Sequence, residues 1–288
     1  MYTFLKNPVW RSIMKKIALI SLALLLALSL CACTGSGNKE DSIDDYAAKN
    51  NTHFLESGSG SVTFEDGPKE TAIISGYTGV STPHKVVIDN KVSEAELEVS
   101  AIGDYAFYQL TNVTEVEIPD TVTYIGKLAF GGCTELKTIV IPASVEYIDD
   151  CAFAGCTSLE SVIFEGKNVK YIDDFAFYGC DKLSEITLPE GLERLGNYVF
   201  GDCKSITSLK TPETLEEIGT LTFHGCEGLN AEGALVLTAS IKEIGEFAFT
   251  GINKEYITAP EGSYAAEYVS LMEDTEVDET ETDGTEAE

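Results

Sequence analysis

The feature that most constrains this chain is a six-residue pattern that recurs at a nearly fixed interval. In seven places an aliphatic residue is followed five positions later by Phe, with Ala, Val or Thr before the Phe. The aliphatic residues are Ile102, Ile125, Ile148, Ile172, Leu195, Ile218 and Ile244, so the spacings are 23, 23, 24, 23, 23 and 26 residues. Seven units in phase predict a repeat architecture, in which one supersecondary unit is copied along the chain.

Each unit also contains a short strand pattern. In the second unit, Ile139 and Ile141 alternate with other residues, and Pro142 follows them. Such an alternation predicts a strand, which ends at Pro because Pro has no N–H to donate. Gly131 and Gly132 predict a turn that needs a positive φ. No apolar run has helical periodicity, so the unit has room only for short 3₁₀ or helical turns.

One such coil cannot bury its own apolar face, whereas stacked coils can bury theirs against one another. Strands of successive coils then pair in parallel, about 4.8 Å apart. The sequence therefore predicts a mainly β, right-handed leucine-rich-repeat solenoid of about seven 23-residue coils with a parallel sheet.

The unit L-x-x-I-x-I-P-x-x-V-x-x-I-G-x-x-A-F-x-G-C resembles the BspA-like leucine-rich repeat of bacterial and some protist surface proteins. The resemblance covers about residues 70–270. It implies an N-terminal entry coil over 70–101 and a solenoid over 102–271 that closes with an exit segment, Gly262–Tyr268. The resemblance is specific for the fold and implies no particular ligand, because the family's members bind different things.

The N-terminus has the layout of an export signal. Basic residues precede an apolar run at 17–30, and the first 32 residues contain no acidic residue. The run of about 14 residues is short for a membrane span, which needs about 20. Leu30-Cys31-Ala32-Cys33 is similar to a bacterial lipobox, which implies that Cys33 is lipidated. We therefore predict a lipoprotein signal peptide over 1–32, with Met14 as an alternative start, and export to the outer face of the bacterial cytoplasmic membrane.

Two further segments lack hydrophobic periodicity. Residues 33–69, after the leader, are rich in Gly, Ser, Asp and Glu and predict a flexible spacer. The segment 272–288 carries nine acidic residues and no Lys or Arg, which predicts a disordered acidic tail. The tail lacks the ligand spacing of a calcium-binding loop.

Charge and motifs exclude several classes of function. The chain has 19 Lys and Arg against 48 Asp and Glu, a net charge of −29, which excludes nucleic-acid binding through a basic patch. Its three histidines, His53, His84 and His224, lie far apart in the sequence, and no catalytic or phosphate-loop motif occurs. A solenoid also lacks the deep pocket that usually houses chemistry. The sequence therefore predicts no enzyme and no cofactor.

Six cysteines follow the repeat, and they could form disulfides, a metal ladder, a redox centre or part of the core. Stacked coils bring equivalent Cα atoms within disulfide range, but equivalent side chains point the same way, and zinc needs four converging ligands. Leu110 and Ile252 share the ninth-position column with five of the cysteines, which favours a core role and no metal. We predict structural free thiols at Cys133, Cys151, Cys156, Cys180, Cys203 and Cys226.

The strand positions between the core residues point outward and form a candidate binding face. These positions are Glu115, Glu117, Thr138, Val140, Ser161, Ile163, Glu185, Thr187, Ser208, Lys210, Val236 and Thr238. Strand propensity alone can explain them, whereas exposed Val140, Ile163 and Val236 favour a contact surface. Tyr108 and Tyr178, beside the turn, are a second candidate on the other edge.

These features together favour a monomeric cell-surface lipoprotein, held to the membrane by its lipid. Its solenoid would then serve as an adhesion or binding module for a surface or matrix protein of unknown identity. The alternative is a structural or self-associating envelope component without a dedicated ligand. A hydrolase or solute receptor would require a closed pocket with converging polar groups.

Overall fold

The protein is described by a computed structural model that covers residues 52–54, 60–66, 71–79, 84–92 and 97–272. All of them lie in the second of two compact units, Ala47–Glu288. The predictions for the signal peptide, for Cys33 and for the tail beyond residue 272 lie outside the described residues.

The described residues form strands that are nearly all two to four residues long. In chain order the strands are β1 (Thr52–Phe54), β2 (Gly60–Asp66), β3 (Thr71–Gly79), β4 (Lys85–Val87), β5 (Lys91–Val92), β6 (Leu97–Ile102), β7 (Glu115–Glu117), β8 (Tyr124–Ile125), β9 (Thr138–Ile141), β10 (Tyr147–Ile148), β11 (Ser161–Phe164), β12 (Tyr171–Ile172), β13 (Glu185–Ile186), β14 (Arg194–Leu195), β15 (Leu209–Lys210), β16 (Glu217–Ile218), β17 (Leu235–Val236), β18 (Glu243–Ile244) and β19 (Ile257–Thr258). One α-helix, α1 (Tyr264–Ser270), and two 3₁₀ helices, Glu227–Leu229 and Lys254–Tyr256, complete the described elements.

The coils, numbered 1 to 7 from the aliphatic residue that begins each unit, stack in register. The predicted outward strands pair in parallel in a five-stranded sheet (β4, β7, β9, β11, β13) and a three-stranded sheet (β15, β17, β19). A second ladder, which the sequence analysis missed, joins the two-residue strands that end at each aliphatic residue, as in Tyr147–Ile148 opposite Tyr171–Ile172. These strands belong to an eleven-stranded sheet. The prediction of a parallel β-solenoid is confirmed.

An antiparallel hairpin covers the first edge of the larger sheet. Strand β2 pairs antiparallel with β1 on one side and with β3 on the other, and β3 pairs in parallel with β6. The predicted spacer, 33–69, is therefore wrong for Thr52–Phe54 and Gly60–Asp66. The physical reason is that β3 would otherwise leave an edge of unpaired backbone groups, which β2 satisfies. Its alternating Ser-Val-Thr-Phe was the missed signal.

The sixth position of every coil places a phenylalanine in a continuous buried column. Neighbouring rings are nearly parallel, and their centroids are 5.2 to 5.8 Å apart. The column consists of Phe107, Phe130, Phe153, Phe177, Phe200, Phe223 and Phe249. Burial of each such side chain contributes about 1.5–3 kcal/mol, so the column is a main source of cohesion between coils.

Each Ile-Gly-x-x-Ala-Phe segment is a hydrogen-bonded turn without a helix. Its fourth residue has a positive φ in all seven coils, between 53° and 60°, and none of these residues is glycine. This conformation aims the fourth amide at the next coil, as Leu128 N donates to Asp150 O over 3.0 Å. The eighth position also has a positive φ in every coil, and there five of the seven residues are glycine. Gly132 fulfils the predicted positive-φ turn, with φ 72°.

Helix α1 covers the last coil. The Ser263 hydroxyl caps its start by accepting a hydrogen bond from Ala266 N over 3.1 Å. The Tyr268 ring lies edge-on to Phe249, with 5.8 Å between centroids, and its hydroxyl donates to Gly245 O over 2.9 Å. Within the part of the chain that the structure describes, no helix has the length and apolar character needed to cross a membrane.

Candidate binding surfaces of the solenoid

The predicted outward strand positions form two adjacent columns across the stacked coils. Glu115, Thr138, Ser161 and Glu185 lie opposite one another in turn in the first column. In the second column Val140 lies opposite Ile163, and Lys210 lies opposite Val236. The ladder is interrupted between β13 and β15, where the five-stranded and three-stranded sheets end. We call these two columns the strand face.

The strand face is polar at its first end and apolar near its middle. Lys85 Nζ lies 2.8 Å from Glu115 Oε1 and also pairs with Glu117. Ile163 is 47% exposed, whereas Val140 is only partly exposed. Of the other predicted positions, Thr138, Glu185, Thr187, Ser208 and Lys210 are exposed, and Ser161 and Val236 are partly exposed. Mixed polar and aliphatic exposure of this kind suits a protein contact.

The prediction that Thr238 belongs to this face is wrong, since its side chain is 3% exposed. Val236 pairs with Lys210, so Thr238 takes the place that Pro212 holds in coil 5. The insertion at residues 230–234 shifts the sequence of coil 6, which is why simple spacing misplaced it. The Thr238 hydroxyl is satisfied in the interior by Thr211, at 3.1 Å, and by Pro212 O, at 3.1 Å.

The ninth-position cysteines form a buried column of free thiols beside the phenylalanine column. Each thiol donates to the carbonyl of the phenylalanine one coil earlier, as Cys156 Sγ does to Phe130 O over 3.2 Å. The others are Cys133, Cys180, Cys203 and Cys226, with Sγ···O distances of 3.1 to 3.4 Å. Burial raises the pKa of the Cys133 thiol to about 12, so the reactive thiolate is scarce.

Cys151 differs from the other five because it lies in the fourth-position column and is only half-buried. The prediction of a core position is therefore wrong for this residue. Leu128 and Phe175, which share its positive φ, are likewise only partly buried. Burial and the nearby Asp150 carboxylate raise the pKa of the Cys151 thiol to about 11.

The turn edge also carries a group of aromatic side chains. Phe175 and Tyr198 stack face to face, with centroids 4.8 Å apart, and Tyr178 packs edge-on to both. Tyr178, a predicted second candidate, is half-buried, and burial followed by a hydrogen bond to Asp202 raises the pKa of its hydroxyl. Tyr108, the other candidate, lies edge-on to Tyr105, which is 49% exposed.

A third surface is built on the second ladder. The rings of Tyr124 and Tyr147 stack with centroids 5.7 Å apart, and their hydroxyls donate to Asp149 and Asp173, respectively. These aspartates replace the glycine that follows the aliphatic residue in other coils. Carboxylate oxygens of Asp149, Asp150 and Asp173 lie within 4.8 Å of one another. The tyrosine hydroxyls already engage two of these three carboxylates.

The described histidines do not assemble a site. His84 lies just before β4, whereas His224 lies on the turn edge of coil 6. His224 packs edge-on to Tyr198 with 6.4 Å between ring centroids. Its Nδ1 is buried and, among the described residues, has no hydrogen-bond partner. His53 lies in β1, and its side chain is outside what the structure describes.

Comparison with known proteins agrees with this architecture. Residues 100–230 match the BspA type leucine rich repeat region in six copies. The crystal structure of a leucine rich repeat protein of T. pallidum is 24% identical, covers 74% of this chain and 94% of its own, and superposes with a TM-score of 0.61. A leucine-rich repeat protein from Eubacterium ventriosum is 26% identical over 66% of this chain and 50% of its own, with a TM-score of 0.55. The search of curated proteins returns no match.

Solenoids of this family are typically non-catalytic, and their repeats are typical of protein-interaction modules. The residues that match the repeat family are also the ones whose coils stack in register and carry the outward strands. Residues 100–230 of the solenoid therefore match the BspA-type leucine-rich repeats, as the resemblance predicted.

Proposed function

We propose that this chain is a cell-surface lipoprotein that binds a protein partner through the strand face and carries out no catalysis. The observation that carries the proposal is the exposure of Ile163 beside Val140 on a stacked, rigid sheet. An aliphatic side chain that is 47% exposed at the middle of a flat polar face resembles the apolar centre and polar rim of protein interfaces.

The charged residues at the rim differ between the two ends of the strand face. Glu115 and Glu117 lie at one end with Lys85 between them, and Lys210 lies beyond the break in the ladder. Charged rims contribute mainly to association rate and partner choice, whereas a central apolar contact contributes affinity. A partner with an apolar centre and rim charges of the opposite pattern would fit. Self-association into a coat is disfavoured by the net charge of −29, because like-charged chains repel.

Surface anchoring is the other half of the proposal, and it rests on the sequence around Cys33. Replacement Cys33→Ala should abolish incorporation of labelled fatty acid and release the chain from the membrane fraction. Retention of labelled lipid in that variant would contradict lipidation at Cys33. This measurement is independent of any binding partner.

The binding half is tested with Val140→Asp combined with Ile163→Asp in the full chain. Coil 1 carries Glu117 in the same column, so the fold tolerates an acidic residue there. Purified cell-surface and matrix proteins are screened against the parent chain first, and the variant is then titrated with each binder. We expect about 10-fold or greater loss of affinity, because two apolar contacts are replaced by charges that a partner would have to desolvate.

The matched control is Thr134→Asp combined with Thr157→Asp. It adds the same two charges to the same two coils on the turn edge, where other coils carry Asp181 and Glu227 at the equivalent position. The control should bind as the parent chain does. If both variants lose affinity equally, or if neither variant loses affinity, the strand face is not the binding surface.

A further inference from the structure

The strand face is interrupted between coils 4 and 5. Strand β13 pairs with β11 before it, and β15 pairs with β17 after it, but β13 and β15 do not pair with each other. No backbone hydrogen bond joins residues 184–188 to residues 207–211, although the structure describes both segments in full. We call these two facing segments the break. Every other pair of neighbouring strands on this face, from β4 to β19, is joined by a ladder.

Away from the strand face, coils 4 and 5 are bonded as other coils are. At the turn edge, Phe175 N donates to Asn197 O over 2.8 Å. In the second ladder, Ile172 lies opposite Leu195, and Gly196 N donates to Ile172 O over 2.8 Å. The two coils are therefore joined at the turn edge and at the second ladder, and they are open at the strand face.

Ring distances indicate that coils 4 and 5 diverge toward the strand face. At the turn edge, the ring centroids of Phe175 and Tyr198 are 4.8 Å apart. In the phenylalanine column the spacing is 5.2 to 5.3 Å from coil 1 to coil 4, and it rises to 5.8 Å between Phe177 and Phe200. At the strand face the two backbones are no longer hydrogen-bonded. The separation thus increases from the turn edge through the core to the break.

Residues on both sides of the break explain why the ladder ends there. Coil 3 has one residue more than its neighbours, and only Ser161 and Val162 of β11 pair with β13. In coil 5, the buried hydroxyl of Thr211 lies 3.1 Å from the hydroxyl of Thr238 in coil 6. The Thr211 amide also donates to Val236 O over 2.9 Å. The strand of coil 5 is therefore bonded toward coil 6 and away from coil 4.

The core is less well covered at the break. In five coils the first inward residue of the outward strand is buried, and these residues are Val116, Ile139, Val162, Leu209 and Leu235. Its equivalent in coil 4, Ile186, is only partly buried. Missing backbone hydrogen bonds and a less buried core residue are features of segments that open at a low free energy.

Two side-chain hydrogen bonds set the limits of the break. Before the strand, the Ser205 hydroxyl donates to Asp181 O over 2.7 Å. After the strand, the Thr214 hydroxyl donates to Glu190 O over 2.8 Å. Coils 4 and 5 are thus held together on either side of the two strand segments, so that movement is confined to the segments themselves.

We propose that the strand face opens at the break, so that the strand segments of coils 4 and 5 separate while the turn edge and the second ladder stay closed. Opening exposes the side chains of Ile186 and Leu209 on the strand face. The open form therefore adds apolar surface to this face, one coil away from the exposed Ile163. This inference concerns the chain alone and does not depend on a partner that binds to the strand face.

The test compares introduced thiols at two positions of equal burial. Leu209 borders the break, whereas Val116 lies in β7, which is paired with both β4 and β9, and each residue is 4% exposed. Full chains with Leu209→Cys or Val116→Cys are alkylated with N-ethylmaleimide, and each rate is divided by that of the urea-unfolded chain. We expect the thiol at position 209 to react at least about 10-fold faster, because only opening distinguishes the two positions. Equal rates would overturn the proposal.

Cys203 is an internal control in the same chain. It lies in coil 5 on the side of the turn edge and is 0% exposed. In the Leu209→Cys chain, Cys203 should react at least about 10-fold more slowly than the introduced thiol, because the turn edge stays closed. If both thiols react at the same rate, coil 5 unfolds as a whole, and the proposal of a separate opening is wrong.

Hydrogen exchange of the parent chain gives a measurement without any substitution. Residues 207–210 in coil 5 are compared with the equivalent residues 160–163 in coil 3. In coil 3, the amides of Glu160 and Ser161 donate to Lys137 O over 2.8 and 3.3 Å. The segment at the break should exchange at least about 10-fold faster. Equal protection of the two segments would overturn the proposal even if the introduced thiols differ in rate.

Discussion

At the scale of single residues, two columns of the same solenoid meet the same backbone requirement in different ways. Both the fourth and the eighth residue of each coil have a positive φ, and glycine occurs only in the eighth. Residues with a Cβ are disfavoured by about 1–2 kcal/mol in this conformation. A substitution at the eighth position therefore measures the free-energy cost of the positive-φ conformation alone. At the fourth position this cost is combined with the contacts of the side chain.

Gly179 offers the cleanest measurement of the turn cost. Its φ is 69°, and a Cβ there would meet no atom within 4 Å, so a substitution changes backbone strain without a clash. Gly179→Ala should lower the free energy of unfolding by about 1 kcal/mol, and Gly179→Asn by less, because Asn tolerates the left-handed region. Urea unfolding of the two variants measures this difference. Equal stability of Gly179→Ala and the parent chain would show that the turn does not require this conformation.

Thiol reactivity should divide the cysteines by position. Burial raises the pKa values of Cys156 and Cys203 well above the usual range, and their column has no exposed member, whereas Cys151 reaches the surface. With N-ethylmaleimide at neutral pH, Cys151 should react at least about 100-fold faster than the ninth-position cysteines, which need local unfolding first. Peptide mapping by mass spectrometry measures the rate of alkylation at each cysteine. Disulfides among the ninth-position cysteines, or reaction at the rate of Cys151, would contradict a column of structural thiols.

At the scale of elements, the ends of the stack need separate covers. A coil in the interior is covered on both sides by neighbours of the same shape, whereas the terminal coils have one open side. The β1–β2 hairpin extends the sheet before coil 1 by antiparallel pairing. Helix α1 covers coil 7 through Tyr268, which contacts Phe249 and the backbone of Gly245.

Two substitutions at Tyr268 separate the parts of this C-terminal cover. Tyr268→Phe removes one hydrogen bond and should cost about 1 kcal/mol, whereas Tyr268→Ala also uncovers Phe249 and should cost about 3 kcal/mol. Hydrogen exchange should show faster opening of coil 7 in Tyr268→Ala, with coils 2 to 4 unchanged. Uniform acceleration through all coils would mean that the stack opens as a single unit.

Some elements of the fold could be predicted from the sequence, and others could not. The outward strands and the cysteine column were predicted because side chains there recur at one spacing, and an insertion in coil 6 was enough to misplace Thr238. The second ladder was missed because its strands from β8 onward are two residues long. Their first members also change along the stack, from tyrosine in β8, β10 and β12 to Arg194, Glu217 and Glu243. The positive φ of the fourth position was missed because Leu128 and its equivalents are residues that do not ordinarily mark such turns.

At the scale of the whole molecule, ionisation limits stability at alkaline pH. Burial, and then hydrogen bonds to Asp149 and Asp173, raise the pKa values of Tyr124 and Tyr147. Burial likewise raises the pKa of Cys133 to about 12. A raised pKa means that the folded chain holds the proton more tightly than the unfolded chain does. This contribution is present below the ordinary pKa of each group and is lost as pH rises above it.

The midpoint of urea unfolding should therefore fall as pH rises from 9 to 11. We expect a loss of at least about 2 kcal/mol over that range, most of it from the buried Cys133 thiol, because the tyrosines are partly exposed. A chain with Tyr124→Phe and Tyr147→Phe should show a shallower dependence, since two of the shifted groups are removed. A midpoint that stays constant to pH 11 would contradict the assigned pKa directions.

The phenylalanine column has a consequence for how the length of such a chain can change. Each ring meets equivalent rings before and after it at 5.2 to 5.8 Å, so every interior junction is interchangeable with every other. Loss of residues 125–147 would bring Phe107 against Phe153 in the same geometry and leave both terminal covers untouched. Recombination between repeats can thus lengthen or shorten the binding surfaces in steps of one coil, whereas insertions or deletions of other lengths disturb the register.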